Sequence, residues 1–356
     1  MKIGIVTYHR AHNFGAILQA MATRITLEKM GHNAYFIDYW PEYHAKRYRF
    51  KSPSFLYATR HPYRYLRFLK TKNNILARIA CFERFISSYI APFCKSVLEY
   101  YDLVLYGSDQ IWRKERLLDD FDSVYFGSDF IQSKIKVSFA ASTYQLPNSH
   151  DSEKFRSLMK NFDAISVREG SLQMFCNKLG INAECLIDPT FLLNKEEWIK
   201  YLDIKKTNEK PYVLYYIMKQ GVFDLSMIKK YCQQKGFKLK ILHGYNIEKD
   251  DEENISIADP RDMVSLIYNA QFVITTSFHG LAFAINLHKE FVVSTDFGVD
   301  RIKSLLNEFN LVNRFVDGKE NIPDFPAIDY CVVSTRHCCL RNYAINFLTK
   351  YTNSTN

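Results

Sequence analysis

The chain opens on an apolar run, Lys2–Thr7, then a polar turn, "HRAHNFG", then a segment over Ala16–Lys29. In that segment Ile17, Leu18, Met21, Ile25 and Leu27 recur near a 3.6-residue period. The pattern predicts a strand, a turn and a helix. Gly31 stands just past the last turn, where a glycine cap is expected. "NAYFIDY" reads as a second strand, so the start is a βαβ unit and predicts a parallel sheet. Pro53, Pro62 and Pro92 then punctuate a stretch over 42–100, predicted to form two helices. Strand patterns resume at "DLVLYGS" and "KVSFAAS". A helix over Glu153–Asn161, a strand "DAISVRE", a helix over Gly170–Leu179 and the segment "AECLIDPTFLL" complete the first half.

The second half alternates again. "PYVLYYIM", "KLKIL", "FVITTS" and "EFVVST" read as strands, with a short one near Ile255. Helices are predicted over Leu225–Lys235, Arg261–Tyr268, Leu281–Leu287 and Arg301–Phe309, and a last one from about Arg336 to Thr349. This order predicts an α/β protein with two doubly wound, Rossmann-like domains. Their expected spans are 1–190, with the helical insertion at about 42–100, and 191–335, with a boundary near Pro189–Leu193. A C-terminal helix over 336–356 follows, and a place against the first domain is one option for it.

Length and composition fit that organisation. The 356 residues are 47% hydrophobic, more than one core accommodates comfortably. Aromatic residues reach 15%, which excludes a disordered class. No apolar stretch reaches the length of a membrane-spanning helix, and "MKIGIVTYHRAHNFG" lacks a signal-peptide profile. The expected location is therefore the cytoplasm. The eight cysteines are scattered without a CxxC pair. His337, Cys338 and Cys339 with Cys331 form a group of metal-ligating types, but reduced thiols are the preferred reading and no metal is expected.

Charge changes the picture more. The net charge of +9 is confined to Glu42–Arg84, which holds eleven Lys/Arg against two Glu, among nine Tyr/Phe. Three readings of this basic module stand: a solvated helical face, a surface for anionic lipid over 42–84, or a site for the diphosphate of a lipid-linked acceptor. No nucleic-acid motif accompanies it.

Ligands of open parallel sheets bind beyond the carboxyl ends of strands. Five polar clusters fall there. "YHRAHNFGA" places Asn13 and Gly15 at a helix start, where backbone N–H groups suit an anion or a sugar hydroxyl. "YGSDQIWR" places Ser108, Asp109 and Gln110 after a strand; a carboxylate there is positioned to take a hydroxyl proton, and a helix cap is the plainer use. "SVREGS" ends a buried strand on Arg168, which needs an anion, either a ligand or an internal partner. In "DPTF", Asp188 is expected only to shape a turn. In "TTSFHG", Ser277 or Thr276 caps the next helix, and His279 sits in its first turn, a place suited to an anionic ligand and to acid–base chemistry. Arg301 is a further candidate anion ligand.

Together "YHRAHNFGAILQA", "YGSDQIWR", "SVREGSLQ", "LIDPTFLLNKEEW" and "VITTSFHGLAFAI", in that order, resemble the polysaccharide pyruvyl transferase family. The resemblance implies a GT-B-like fold with the active site in the cleft between two Rossmann-like domains. It implies transfer of pyruvyl from phosphoenolpyruvate, a co-substrate with no further cofactor, onto two hydroxyls of a sugar. The acceptor would be a galactose-type sugar, free or on a polyprenyl diphosphate. Other branches carry a motif similar to Ser-Arg-Leu-His-Gly; here Ser277 and Phe278 stand at the Arg and Leu positions, and His279 and Gly280 match. By this resemblance His279 is catalytic, and Arg168, with Ser277, Phe278 and Gly280 of the last motif, binds the donor. Their places at strand and helix ends add Asp109 as a second catalytic group, Arg301 as a replacement donor ligand, and Asn13, Gly15, Ser108 and Gln110 facing the acceptor. Two other functions share the architecture: nucleotide-sugar glycosyl transfer and non-catalytic glycan binding.

Overall fold

The computed structural model describes residues 1–245, 247–296 and 298–353. Twelve strands form two sheets. In the first domain they are β1 (Lys2–Val6), β2 (Asn33–Ile37), β3 (Cys94–Lys95), β4 (Tyr101–Tyr106), β5 (Ser133–Ala141), β6 (Ala164–Val167) and β7 (Glu184–Cys185). In the second they are β8 (Tyr212–Ile217), β9 (Lys238–His243), β10 (Asn254–Ile255), β11 (Phe272–Thr275) and β12 (Glu290–Val293). All ladders within the two sheets are parallel, in the orders β3-β2-β1-β4-β5-β6-β7 and β10-β9-β8-β11-β12. Both are the doubly wound order. The winding reverses between β1 and β4, and again between β8 and β11, which creates a crevice at each carboxyl end.

Helix α1 (Phe14–Lys29) follows β1. Asn13 caps it, its side chain accepting from the Ala16 N–H at 3.2 Å. The apolar stripe predicts one buried face, yet every residue from Phe14 to Leu27 is buried, Gln19, Thr23 and Arg24 included. A helix buried all round has cover on both sides. The first sheet lies on one side; the Pro189–Leu192 turn and α9 (Pro260–Asn269) of the second domain lie on the other. One hydrophobic core runs from Ile5 and Leu18 through Phe191 and Trp198 to Leu281 and Phe291, so the two domains share it.

The insertion folds into three helices where two are expected: α2 (Glu42–Tyr48), α3 (Phe55–Arg60) and α4 (Pro62–Tyr89). Ser54 caps α3 by accepting from the Tyr57 N–H, and Pro62 opens α4 at a position that needs no donor. Phe82, Phe85 and Ile86 of α4 are buried in the shared core. Upstream, α4 crosses to the second domain. Buried Arg78 donates to the carbonyls of His243 (2.5 Å), Gly244 (2.6 Å) and Ser256 (3.2 Å).

The remaining helices are α5 (Ser149–Met159), α6 (Gly170–Lys178), α7 (Lys195–Tyr201), α8 (Leu225–Lys235), α10 (Phe278–Asn286), α11 (Val299–Glu308) and α12 (Tyr330–Thr352). α12 starts earlier than its apolar pattern indicates, because Asp329 caps it by accepting from the Cys331 and Val332 N–H groups. It begins against β12 of the second domain, where the Tyr330 hydroxyl donates to Lys289 O. It ends on the first domain, where Phe347 stacks on Phe139 of β5. Among the described residues no helix is long and apolar enough to cross a membrane.

Candidate active site

The crevices of the two sheets face each other across a cavity of about 890 Å³. The turns after β1 and β4 supply His12, Asn13, Asp109 and Gln110; the segments after β8 and β11 supply Lys219 and Thr276–His279. α4 closes one side with Ile75, Arg78 and Ile79.

His279 stands at the centre. Ser277 is the N-cap of α10, its hydroxyl accepting from the Gly280 N–H at 3.2 Å, and this sets His279 in the first turn. The imidazole lines the cavity, and its Nε2 lies 3.7 Å from Asp188 Oδ2. That exceeds hydrogen-bond length, and Nε2 is buried without another partner. A shift of under 1 Å closes the pair, as is usual before substrate tightens a site. Asp188 is fully enclosed: Oδ1 accepts from the Thr190 N–H and hydroxyl, and Oδ2 accepts from Arg168 Nη1 at 2.8 Å. Burial alone would raise its pKa; the His279 and Arg168 partners outweigh burial and hold it below the usual carboxylate range. Asp188 is thus a fixed anion behind the histidine, beyond the turn-shaping expected of it.

Arg168 itself is an internal cation. Nε donates to Glu169 (3.0 Å), Nη1 to Asp188, and Nη2 to Ser142 Oγ (3.0 Å), while the Phe278 ring covers its guanidinium. Burial opposes its charge, but Glu169 and Asp188 outweigh that and raise its pKa. Three of its five N–H donors are thus engaged inside the protein, and its link to the cavity runs through Asp188 and Phe278.

Arg301 differs. It lies in the first turn of α11 and lines the cavity, and among the described residues no carboxylate lies within ion-pair distance of it. Burial, then the nearby Arg168 charge, lower its pKa. Its Nη2 lies 3.1 Å from the Gln110 side-chain amide, whose oxygen accepts when turned toward the guanidinium. Gly298 makes room for this: its φ is +63°, and a Cβ there would lie 2.6 Å from Arg301 Nη2. A half-buried guanidinium with no carboxylate within ion-pair distance among the described residues is a ready anion site.

Asp109 lines the cavity from the opposite side, with φ at +71°, a strained value for a non-glycine residue. Its Oδ1 accepts from the Gln110 N–H, which fixes the carboxylate. Asn13 Nδ2 reaches across the cleft to the Tyr245 hydroxyl at 3.4 Å. Three further candidates are tightly packed positions. Ser108 is fully buried and donates to Ala140 O, so its side chain points into the sheet. Gly15 and Gly280 are close-packing positions. A Cβ on Gly15 would lie 2.0 Å from the His279 ring, and one on Gly280 would lie 2.3 Å from Thr275 Oγ1.

The cavity wall is strongly basic: Arg47, Arg49, Lys51, Arg113, Lys219 and Arg301 line it, and Asp109 is the carboxylate among the lining residues. Glu115 pairs with Arg47 and Arg113, and Asp296 with Lys219. Elsewhere His9, Asp38 and Cys94 gather within 4.8 Å of one another, a group the sequence did not reveal. Arg10 already supplies Asp38 with a positive partner at 2.7 Å.

A model of the polysaccharide pyruvyl transferase family matches residues 13–295. The chain belongs to that family. The match spans the turn after β1 through the strand after His279, and so includes every lining group just described from Asn13 to Thr295. A search of curated protein sequences finds no match. Among solved structures, one assigned as a UDP-N-acetylglucosamine 2-epimerase from Listeria monocytogenes is 9% identical, with TM-score 0.50, covering 100% of this chain and 97% of that one. The UDP-GlcNAc 2-epimerase of Methanocaldococcus jannaschii is 12% identical, with TM-score 0.45 and coverages of 96% and 93%. The glycosyltransferase SnogD of Streptomyces nogalater is 10% identical, with TM-score 0.40 and coverages of 99% and 99%. At these identities the likeness concerns fold: this family member is a GT-B-like protein of two Rossmann-like domains.

Proposed function

We propose that the protein transfers pyruvyl from phosphoenolpyruvate to two hydroxyls of a galactose-type sugar. The product is a cyclic ketal of a surface or capsular polysaccharide, and inorganic phosphate is released. The observation that carries this reading is His279, backed by the Asp188 anion, on the same cavity as the uncompensated Arg301.

Arg301 binds the trianionic donor through carboxylate or phosphate, with Lys219 nearby. It takes the place that Ser277 leaves open. His279 gives a proton to the methylene carbon of phosphoenolpyruvate, and Asp188 stabilises the imidazolium before that step. Positive charge develops at C2. One sugar hydroxyl attacks C2, forming a C–O bond, and its proton passes to Asp109. Phosphate then departs with the electron pair of its bond to C2, and the second hydroxyl closes the ring. One hydroxyl proton replaces that of His279 and the other leaves with phosphate, so the enzyme is regenerated. Gln110 and Asn13 lie on the acceptor side. The acceptor is a sugar, free or on a polyprenyl diphosphate, and the reaction takes place in the cytoplasm.

The direct test is phosphate release from phosphoenolpyruvate with a galactose-type acceptor. His279→Ala should abolish it with an unchanged circular dichroism spectrum; a mutant near the parental rate overturns the assignment. In a thermal-shift screen phosphoenolpyruvate should stabilise the protein, by about 2.7 kcal/mol at a hundred times Kd. Stabilisation by a nucleotide sugar alone would favour the glycosyltransferase reading.

A further inference from the structure

The α3–α4 pair has two faces. The inner face of α4 is occupied by the protein itself: Arg67 pairs with Glu248, Asn74 donates to Glu248 O, and Arg78 holds the carbonyls after β9. Arg67, in the middle of the basic run, therefore serves the domain contact. The outer face has no such cover. Leu66, Leu69 and Leu76 fall on one side of the helix and are 57%, 49% and 40% exposed. Leu56 and Tyr63, at the corner between the helices, are 60% and 80% exposed. Single exposed leucines are ordinary; a row of them on one helix face marks a contact surface.

Charge identifies the partner. From Tyr43 through Phe82 the sequence contains no Asp or Glu. Arg60, Lys70 and Lys72 are exposed around the leucine row, and none has a carboxylate partner among the described residues. A second copy of this face would set these cations against their own kind. A nucleic acid would satisfy the cations and leave the leucines in water. We propose that the outer face of α3–α4 docks on an anionic phospholipid bilayer. Leu56, Tyr63, Leu66 and Leu69 enter the headgroup layer, and Arg60, Lys70 and Lys72 meet lipid phosphates. The opposite side of α4 carries Ile75, Arg78 and Ile79 of the cavity wall. Docking thus brings the cleft to the bilayer, and a lipid-anchored acceptor is delivered without leaving the membrane. That last consequence rests on the proposed reaction; the docking does not.

The test is co-sedimentation of the full chain with vesicles of phosphatidylglycerol and phosphatidylcholine, against phosphatidylcholine alone. Binding should require the anionic lipid and weaken with salt. Replacing Arg60, Lys70 and Lys72 by Gln should weaken it roughly fivefold per charge. Leu66→Ser with Leu69→Ser should weaken it at least about tenfold. Both variants should keep the parental melting temperature and release phosphate with a soluble acceptor at the parental rate. Equal binding to neutral vesicles, no binding, or variants that bind like the parent overturn the docking. Phosphate release in the same preparations reads the proposed reaction separately.

Discussion

Asp188 lies against two side chains at once, the imidazole of His279 and the guanidinium of Arg168. Asp188→Asn should lower kcat by about 10²–10⁴ in the phosphate-release assay, because an amide neither fixes nor stabilises the imidazolium. The same substitution leaves buried Arg168 one anion short, at a cost of about 3 kcal/mol in denaturant unfolding. Acid acts in a defined direction. The folded pKa of Asp188 lies below the ordinary value of about 3.9, so its stabilisation is complete above about pH 4 and is lost as pH falls through the folded value. Acid unfolding followed by circular dichroism should lack this component in Asp188→Asn. Arg301 predicts the reverse balance. Arg301→Met removes a half-buried charge that has no carboxylate within ion-pair distance among the described residues, so the melting temperature should hold or rise while phosphoenolpyruvate binding weakens at least about tenfold. A fall in melting temperature with unchanged binding would make Arg301 structural. The sequence singles out His279 and Arg301 because each follows a strand or opens a helix. It hid the partnership of Asp188, since a pair 91 residues apart across a domain boundary leaves no local spacing. Nor does position at a strand end state which way a side chain points, and Ser108 turns into the sheet.

At the scale of elements, strands and helices were legible because parallel sheets read as short apolar runs and their crossover helices have firm caps. Asn13, Ser277 and Asp329 each accept from the first turn they precede. The exception is α1, whose polar side is buried as well. No periodicity announces that a second domain will cover it. The two helix starts that meet there are α1 and α10, with Gly15 against the His279 ring. Gly15→Ala has no room for its methyl group, and overpacking of this kind costs about 1–3 kcal/mol. Because the methyl displaces the imidazole, kcat should fall more than tenfold while circular dichroism keeps the parental helix content. A fully active Gly15→Ala would mean that the helix ends separate during turnover.

In the whole molecule, the basic insertion was visible as charge but not as architecture. The sequence cannot say that Arg67 pairs with Glu248 and Arg78 is buried against the second domain while Lys70 faces solvent. Arg78→Met should release α4 from the second domain and raise amide exchange in 244–256, with little change in β1 or β4. Equal protection in parent and variant would show that the core alone fixes the domains. The chain crosses between domains at Pro189–Leu192 and returns along α12, and the crossings touch where His337 Nε2 meets Phe191 O at 2.6 Å. Two crossings held side by side at Phe191, with Arg78 of α4 fastened to the second domain beside the cavity, brace the two sheets as struts brace a frame.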